Sequence, residues 1–386
     1  MILSIIYFIL ILGTIVLVHE FGHFFFAKLF GVYVYEFSIG MGPKLFSKKG
    51  KNGETTYCIR AIPIGGFVQL AGEGLDDDKE IPKKRLLQSK PVWQRFLIMF
   101  FGAGNNFILA VITLFVIALC VGAPSNSNYI PEVMPESPAE IAGVRAGDYI
   151  IEVNGKKVTN LDDLQLYLTI ATTNINEERA SDSKKDKTVA DVSEKEETVS
   201  STTQVNDKYT FEVKVLRGKE KLTFKIEPLD EKTAETKEYS IGLKFDSERE
   251  YGLWASIKYA FRKTGSLIRQ MVMTIKELIF GNVSVKNLSG PVGILRAVDK
   301  TQQQSTSKII DLLALLALLS LNVGFINLIP FPAFDGGRIL FLFIEKIIGR
   351  PIKPEVENMV NNIGFVILML LIVLVTFGDI RSWIGF

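Results

Sequence analysis

The chain has 386 residues, 48% of them hydrophobic, with 27 phenylalanines and a formal net charge of +2. This composition, with its positive mean hydropathy, belongs to a membrane protein rather than to one soluble core. The net charge decides nothing, but the lack of any long basic block interleaved with aromatics sets nucleic acid aside as a partner. Cys58 and Cys120 fall in a polar loop and an apolar stretch, an arrangement that argues against a disulfide between them and against a cysteine metal site.

The first element is a transmembrane helix within residues 1–30, apolar from Ile2 to about Phe26. A bilayer crossing takes roughly 20 such residues. The stretch has no basic leader and no small-residue cleavage site, so it is expected to stay in the mature protein. Inside it stands His19-Glu20-Phe21-Gly22-His23, which uses both histidines of the chain. On a helix, residues four apart share one face about 6 Å apart along the axis. Both imidazoles can then reach one Zn²⁺, with Glu20 beside the metal's open position. Ionisable groups at such depth cost a few kcal/mol each and persist where they have partners and a task.

Residues 31–95 are too polar and glycine-rich to cross a bilayer. Short strands are expected at Thr55–Arg60 and Gly66–Leu70, joined by a turn at Pro63-Ile64-Gly65. Asp76-Asp77-Asp78-Lys79-Glu80 reads as a solvated linker. A second transmembrane helix follows over 96–122. Residues 128–245 read as a soluble domain: a short helix and a Gly147-Asp148 turn within Ser137–Asp148, an alternating strand, an Asn154-Gly155 turn, a helix from Leu161 to about Ala171, and a hairpin across Arg217-Gly218-Lys219. Its insertion 172–208 has no apolar period and is expected to be disordered. Over 250–300, apolar residues at helical spacing alternate with Lys258, Arg262, Lys263, Arg269 and Lys276, which suits an amphipathic helix on the membrane surface or against the soluble domain. A third transmembrane helix is expected within 309–348 and a fourth over 358–378.

Basic residues set the orientation. Residues 27–95 hold twelve Lys/Arg against seven Asp/Glu, and Lys346, Arg350 and Lys353 follow the third span, so these loops read as cytoplasmic. The termini and the soluble domain are then extracytoplasmic in a multi-pass protein of the cell membrane, with His19 and His23 toward the cytoplasmic side.

Two histidines leave a zinc site short of a ligand. Asn327-Leu328-Ile329-Pro330-Phe331-Pro332-Ala333-Phe334-Asp335-Gly336-Gly337-Arg338 breaks the third span with two prolines and can turn Asp335 inward. The alternative is that Asp335 only caps the helix after it. Asn327 and Asn322 are the amides of this span, and each can make a polar contact between packed helices.

His-Glu-Phe-Gly-His in a first span, with Asn-x-x-Pro-x-Pro-x-x-Asp-Gly-Gly in a later one, resembles the site-two protease family of intramembrane zinc metalloproteases, in particular its bacterial branch in regulated intramembrane proteolysis. Stretches at Gly40–Phe46, Pro63–Val68, Gly102–Phe107 and Ser289–Ile294 match the family's patterns in order; Phe334 departs from its usual leucine. The resemblance implies a polytopic helical membrane protein with a membrane-associated sheet and a single PDZ domain. It implies one zinc per chain held by His19, His23 and Asp335, and Glu20 as general acid and base. Gly66, Phe67 and Val68 would lie on a strand edge that receives the substrate, with Asn327 binding its backbone and Asn322 a second candidate for that role. Partners would be single-span membrane proteins, such as anti-sigma factors or signal-peptide remnants, the surrounding lipid, and a peptide or ectodomain at the PDZ domain. Two other readings remain: a membrane-anchored metallopeptidase of soluble peptides, and a non-enzymatic PDZ scaffold.

Overall fold

A computed structural model describes residues 2–51, 53–73, 80–124, 128–189, 207–229, 241–245, 248–279, 290–305, 307–350 and 352–384. It is mostly helical and divides into two compact units, 1–121 with 252–386, and 122–251. The expected linker lies outside the described residues except for Glu80.

In the first unit, α1 (Ile2–Leu29) and α2 (Val92–Val121) are long enough and apolar enough to cross a bilayer, as are α7 (Lys308–Leu328) and residues 355–379 of α9 (Pro354–Ile384). The chain is a multi-pass membrane protein. Lone α-helices are the expected solution there, since each satisfies its own backbone hydrogen bonds. Residues 309–348 are interrupted at the two prolines. α7 stops at Leu328, and α8 (Asp335–Ile348) starts anew after an irregular turn. Pro330 and Pro332 remove backbone donors, and Ala333 takes a left-handed φ of 78°, which no helix accommodates.

α1, α2 and α7 form the core. Ile11 and Ile15 of α1 pack with Leu312 and Leu319 of α7, while Ala110 and Leu114 of α2 pack with Ala317 and Leu321. The amphipathic segment resolves into α5 (Leu253–Ile279) and α6 (Pro291–Gln304). α5 seats Ala260 in the cluster formed by α2 and α7, with Leu267 and Met271 alongside.

The sheet region contains more strand than the sequence suggests. β1 (Val34–Lys49) and β2 (Thr56–Leu70) are long, irregular antiparallel strands that pair with one another along several stretches. Segment 34–39 pairs with 66–70 on one side and 56–59 on the other, and 44–49 then pairs with 56–60. The strips therefore run 66–70, 34–39, 56–60, 44–49. Glu36 is buried within the sheet, bonded to Lys44 and Arg60. Burial alone would raise its pKa, but hydrogen bonds from the two cations hold the carboxyl below the usual range.

The second unit is built on a four-stranded antiparallel sheet in the order β6-β5-β7-β8: β5 (Tyr149–Val153), β6 (Lys156–Lys157), β7 (Phe211–Arg217) and β8 (Glu220–Ile226). Two short ribbons, β3 (Ala123–Pro124) with β10 (Arg249–Glu250) and β4 (Glu132–Val133) with β9 (Leu243–Lys244), complete it. Helix α3 (Pro138–Ala142) is capped by Ser137 and ends on a left-handed Gly143. Alternation along β7 buries Phe211, Val213 and Val215 on one face.

The expected helix near 161–171 is longer than foreseen. α4 runs from Leu161 to Val189, so residues 172–189 are helical where disorder was expected. The physical reason is tertiary anchorage. Ile175 is buried, Arg179 donates to the Pro228 carbonyl and to Glu227, and Tyr209 donates to Asp182. The remainder of that insertion, apart from Asp207 and Lys208, lies outside the described residues.

Candidate metal centre

Close approach between α1 and α2 creates the site. A Cβ on Gly22 would fall 1.9 Å from the Phe101 carbonyl oxygen, and one on Gly102 would fall 2.2 Å from His23 Nε2. Only glycine at both positions lets the helices meet, a packing mode common between membrane helices. The contact brings His23 Nδ1 within 2.9 Å of the Ile98 carbonyl. Nδ1 donates there, which fixes the tautomer and leaves the Nε2 lone pair free.

The turn between α7 and α8 delivers Asp335 to the same place. Gly336 packs so tightly under the end of α7 that a Cβ would lie 2.4 Å from the Leu328 carbonyl oxygen. Asp335 Oδ2 then stands 3.3 Å from His19 Nε2 and 3.4 Å from His23 Nε2, and the two Nε2 atoms are 3.3 Å apart.

This triangle is a test of fit for a metal. With zinc–ligand bonds of about 2.0–2.1 Å and tetrahedral angles, ligand atoms sit about 3.3–3.4 Å from one another. The three measured sides match that edge. Asp335 Oδ2 is moreover buried and accepts no hydrogen bond, although buried carboxylate oxygens are normally satisfied. Two imidazole nitrogens and an unpartnered carboxylate oxygen fit Zn²⁺ in chemistry and in spacing. Among the described residues this is the one cluster of three His, Cys, Asp or Glu that could hold a metal.

A cavity of about 250 Å³ opens onto the triangle, lined by Glu20, Phe67, Val68 and Asn327 among others. The Val68 amide donates toward the Glu20 carboxylate, and Gly66 lies so close that its Cβ would be 3.3 Å from Glu20 Cγ. Strip 66–70 thus runs past Glu20. Asn322, one helical turn back from the cavity and half-buried in α7, does not line it.

Sequence reasoning assigned no role to Arg338, Glu73 or Met99, which also line the cavity. Arg338 forms an ion pair with Glu73. Its place directly after Gly336-Gly337 was a usable signal, whereas nothing marks Glu73 before the fold brings it there.

Comparison with known proteins bears on this geometry. The profile described as peptidase family M50 matches residues 7–371. The chain belongs to that family. The peptidase is 34% identical to a Clostridium perfringens protein assigned as a zinc metalloprotease, with 97% of this chain and 98% of that protein covered. It is 31% identical to the regulator of sigma-W protease RasP of Bacillus subtilis, covering 98% of each. With the zinc metalloprotease RasP of Bacillus licheniformis it shares 32% identity, over 98% of this chain and 99% of the relative.

Proposed function

We propose that this peptidase is an intramembrane zinc metalloprotease that hydrolyses peptide bonds within or near the transmembrane segments of single-span membrane proteins. The observation that carries the reading is the triangle of His19, His23 and Asp335 with sides of 3.3–3.4 Å, beside Glu20, on helices that can cross a bilayer. The relatives' names, a sigma-W regulator among them, support the second cut of regulated intramembrane proteolysis as its task.

His19, His23 and Asp335 would hold the metal, one per chain. Zinc bound there supplies Lewis acidity, bringing the pKa of its water to about 7. Glu20 accepts a proton from the attacking water and returns it to the departing amine. The substrate must unwind locally to expose a carbonyl, and its freed amides need partners in a place without bulk water. Strip 66–70 provides them. It pairs with 34–39 on one side and with no other strand among the described residues. An extended substrate adds to that edge, which carries Gly66, Phe67 and Val68 past Glu20. Asn327, at the cavity wall, binds the substrate backbone; Asn322 serves helix packing instead.

The order of elements in 128–245, a short capped helix, a Gly-Asp turn, β5, an Asn-Gly turn, α4 and the β7–β8 hairpin, supports a PDZ domain. Basic flanks on 27–95 and after the third span support extracytoplasmic termini and PDZ domain, with the metal centre toward the cytoplasm.

Glu20→Gln tests the chemistry. In detergent or in vesicles the variant retains about one zinc per chain and loses cleavage of a transmembrane substrate. Cleavage at the wild-type rate would refute the role of Glu20; absence of zinc from the wild-type protein purified without chelator would refute the metal centre.

A further inference from the structure

Asn106 sits at the middle of α2, fully buried. Its side-chain Nδ2 lies 3.4 Å from His19 Nδ1, while its Oδ1 is buried with no partner. A lone unsatisfied amide oxygen in an apolar helix is costly. The two observations have one explanation.

A metal on His19 Nε2 uses that lone pair, so the ring proton must sit on Nδ1 and needs an acceptor. His23 has such an acceptor in the Ile98 carbonyl. For His19 the side chain facing Nδ1 is Asn106. An amide's oxygen and nitrogen are nearly the same size, and a half-turn exchanges them without moving a neighbour. Oδ1 then accepts from Nδ1–H, and the orphaned oxygen is satisfied. The metal-free ring takes the opposite pairing: Nδ2 donates to a bare Nδ1, and Nε2–H faces Asp335 Oδ2 at 3.3 Å. One side chain therefore serves both tautomers. Its backbone is anchored for the purpose, because Ser320 Oγ donates to the Asn106 carbonyl at 2.8 Å.

We propose that Asn106 is the positioning residue of His19, holding the ring with Nε2 turned to the metal and accepting its Nδ1–H when the metal is bound. The proposal rests on the reading of His19 as a ligand through Nε2. The competing acceptor is the Gly102 carbonyl, which also reaches the His19 ring.

The test is zinc affinity of the purified full chain, measured by competition with a chromophoric chelator, for wild type, Asn106→Leu, Asn106→Asp and His19→Ala. Leucine keeps the volume and removes the acceptor; aspartate presents oxygen in either orientation. Asn106→Leu should weaken zinc binding about 10–100-fold, as loss of a partner to a ligating histidine does, and Asn106→Asp should restore most of it. Wild-type affinity in Asn106→Leu would overturn the proposal in favour of the Gly102 carbonyl. Equal weakening in both Asn106 variants, with melting temperatures unchanged, would overturn it in favour of packing. If Asn106→Leu does not fold, the cobalt-substituted Asn106→Asp protein decides: a tetrahedral visible spectrum like that of wild type supports the proposal, and its loss overturns it. Wild-type affinity in His19→Ala would instead remove the metal-centre reading and the proposal with it.

Discussion

α2 and α9 have similar lengths, 30 and 31 residues, and their most apolar stretches have hydropathies of 2.3 and 2.5, yet 39% of that stretch is buried in α2 and 6% in α9. Hydropathy qualifies both to cross a bilayer. What differs is the face. Alongside Ile98, Met99, Leu114 and Ile117, α2 buries Gly102, Ala103, Gly104, Asn106, Ala110 and Thr113, small or polar side chains that let backbones come close. α9 turns Phe365, Val366, Leu370, Val373 and Leu374 outward, and its tight approach is at Gly364, where a Cβ would fall 2.4 Å from Pro332 Cβ. In a solvent as apolar as leucine, bulk hydrophobicity cannot draw helices together; close packing and interhelical hydrogen bonds do. The helix that packs against the metal centre is therefore the one whose buried stripe includes small and polar side chains.

The sharpest way to break this contrast is Gly102→Leu. Its Cβ alone collides with His23 Nε2, so the imidazole must leave its place, and zinc content measured by atomic absorption should fall to background. Normal zinc loading would mean that the close approach does not build the site.

The second unit offers a different contrast, a buried charge whose partner comes from a sheet rather than from a metal. Asp148 accepts from Arg217 and from the Arg145 amide. Burial opposes its ionisation, but those bonds hold its carboxyl below the usual range. Arg217→Ala should destabilise this unit by about 3 kcal/mol, the low end for a broken buried pair because Arg217 is partly exposed. Since the folded-state pKa is depressed, the stabilisation is complete above the unfolded value of about 3.9 and disappears as pH falls through the lower folded value. Hydrogen-exchange protection of β5 and β7 in the full chain should hold from pH 7 to about 5 and drop below about 4. A loss centred near pH 6 would point to another group.

Ser320→Ala removes one interhelical hydrogen bond to the Asn106 carbonyl and should cost about 1 kcal/mol. Thermal unfolding in detergent reads it. Smallest of all, Leu374→Ala on the outward face of α9 should stay within about 0.5 kcal/mol. A larger cost there would show that α9 is packed where the structure leaves it open.

Part of this architecture was readable because its signals are local. A run of apolar residues without charge is sufficient for a crossing helix, and His19 and His23 share a face by helix periodicity alone. The break before Asp335 follows from Pro330 and Pro332. The strand content of 34–49 was not readable, because its pairing is with residues up to 36 positions away in sequence, and glycine-rich strands carry a weak pattern. Helix α4 beyond Ala171 escaped for the same reason: its polar sequence has no face of its own, and Glu227, Pro228 and Tyr209 hold it from afar.

By itself the sequence determined the membrane class of the chain, the positions of its crossing helices and the donor types available for zinc, since each depends on neighbours within a helical turn or a bilayer's thickness. Only the tertiary structure decided that Asp335 Oδ2 and two Nε2 atoms form a triangle of 3.3–3.4 Å, that strip 66–70 passes Glu20, and that Asn106 faces His19. Those contacts join residues tens to hundreds of positions apart, and their distances are set by glycine contacts between backbones, which no local pattern encodes.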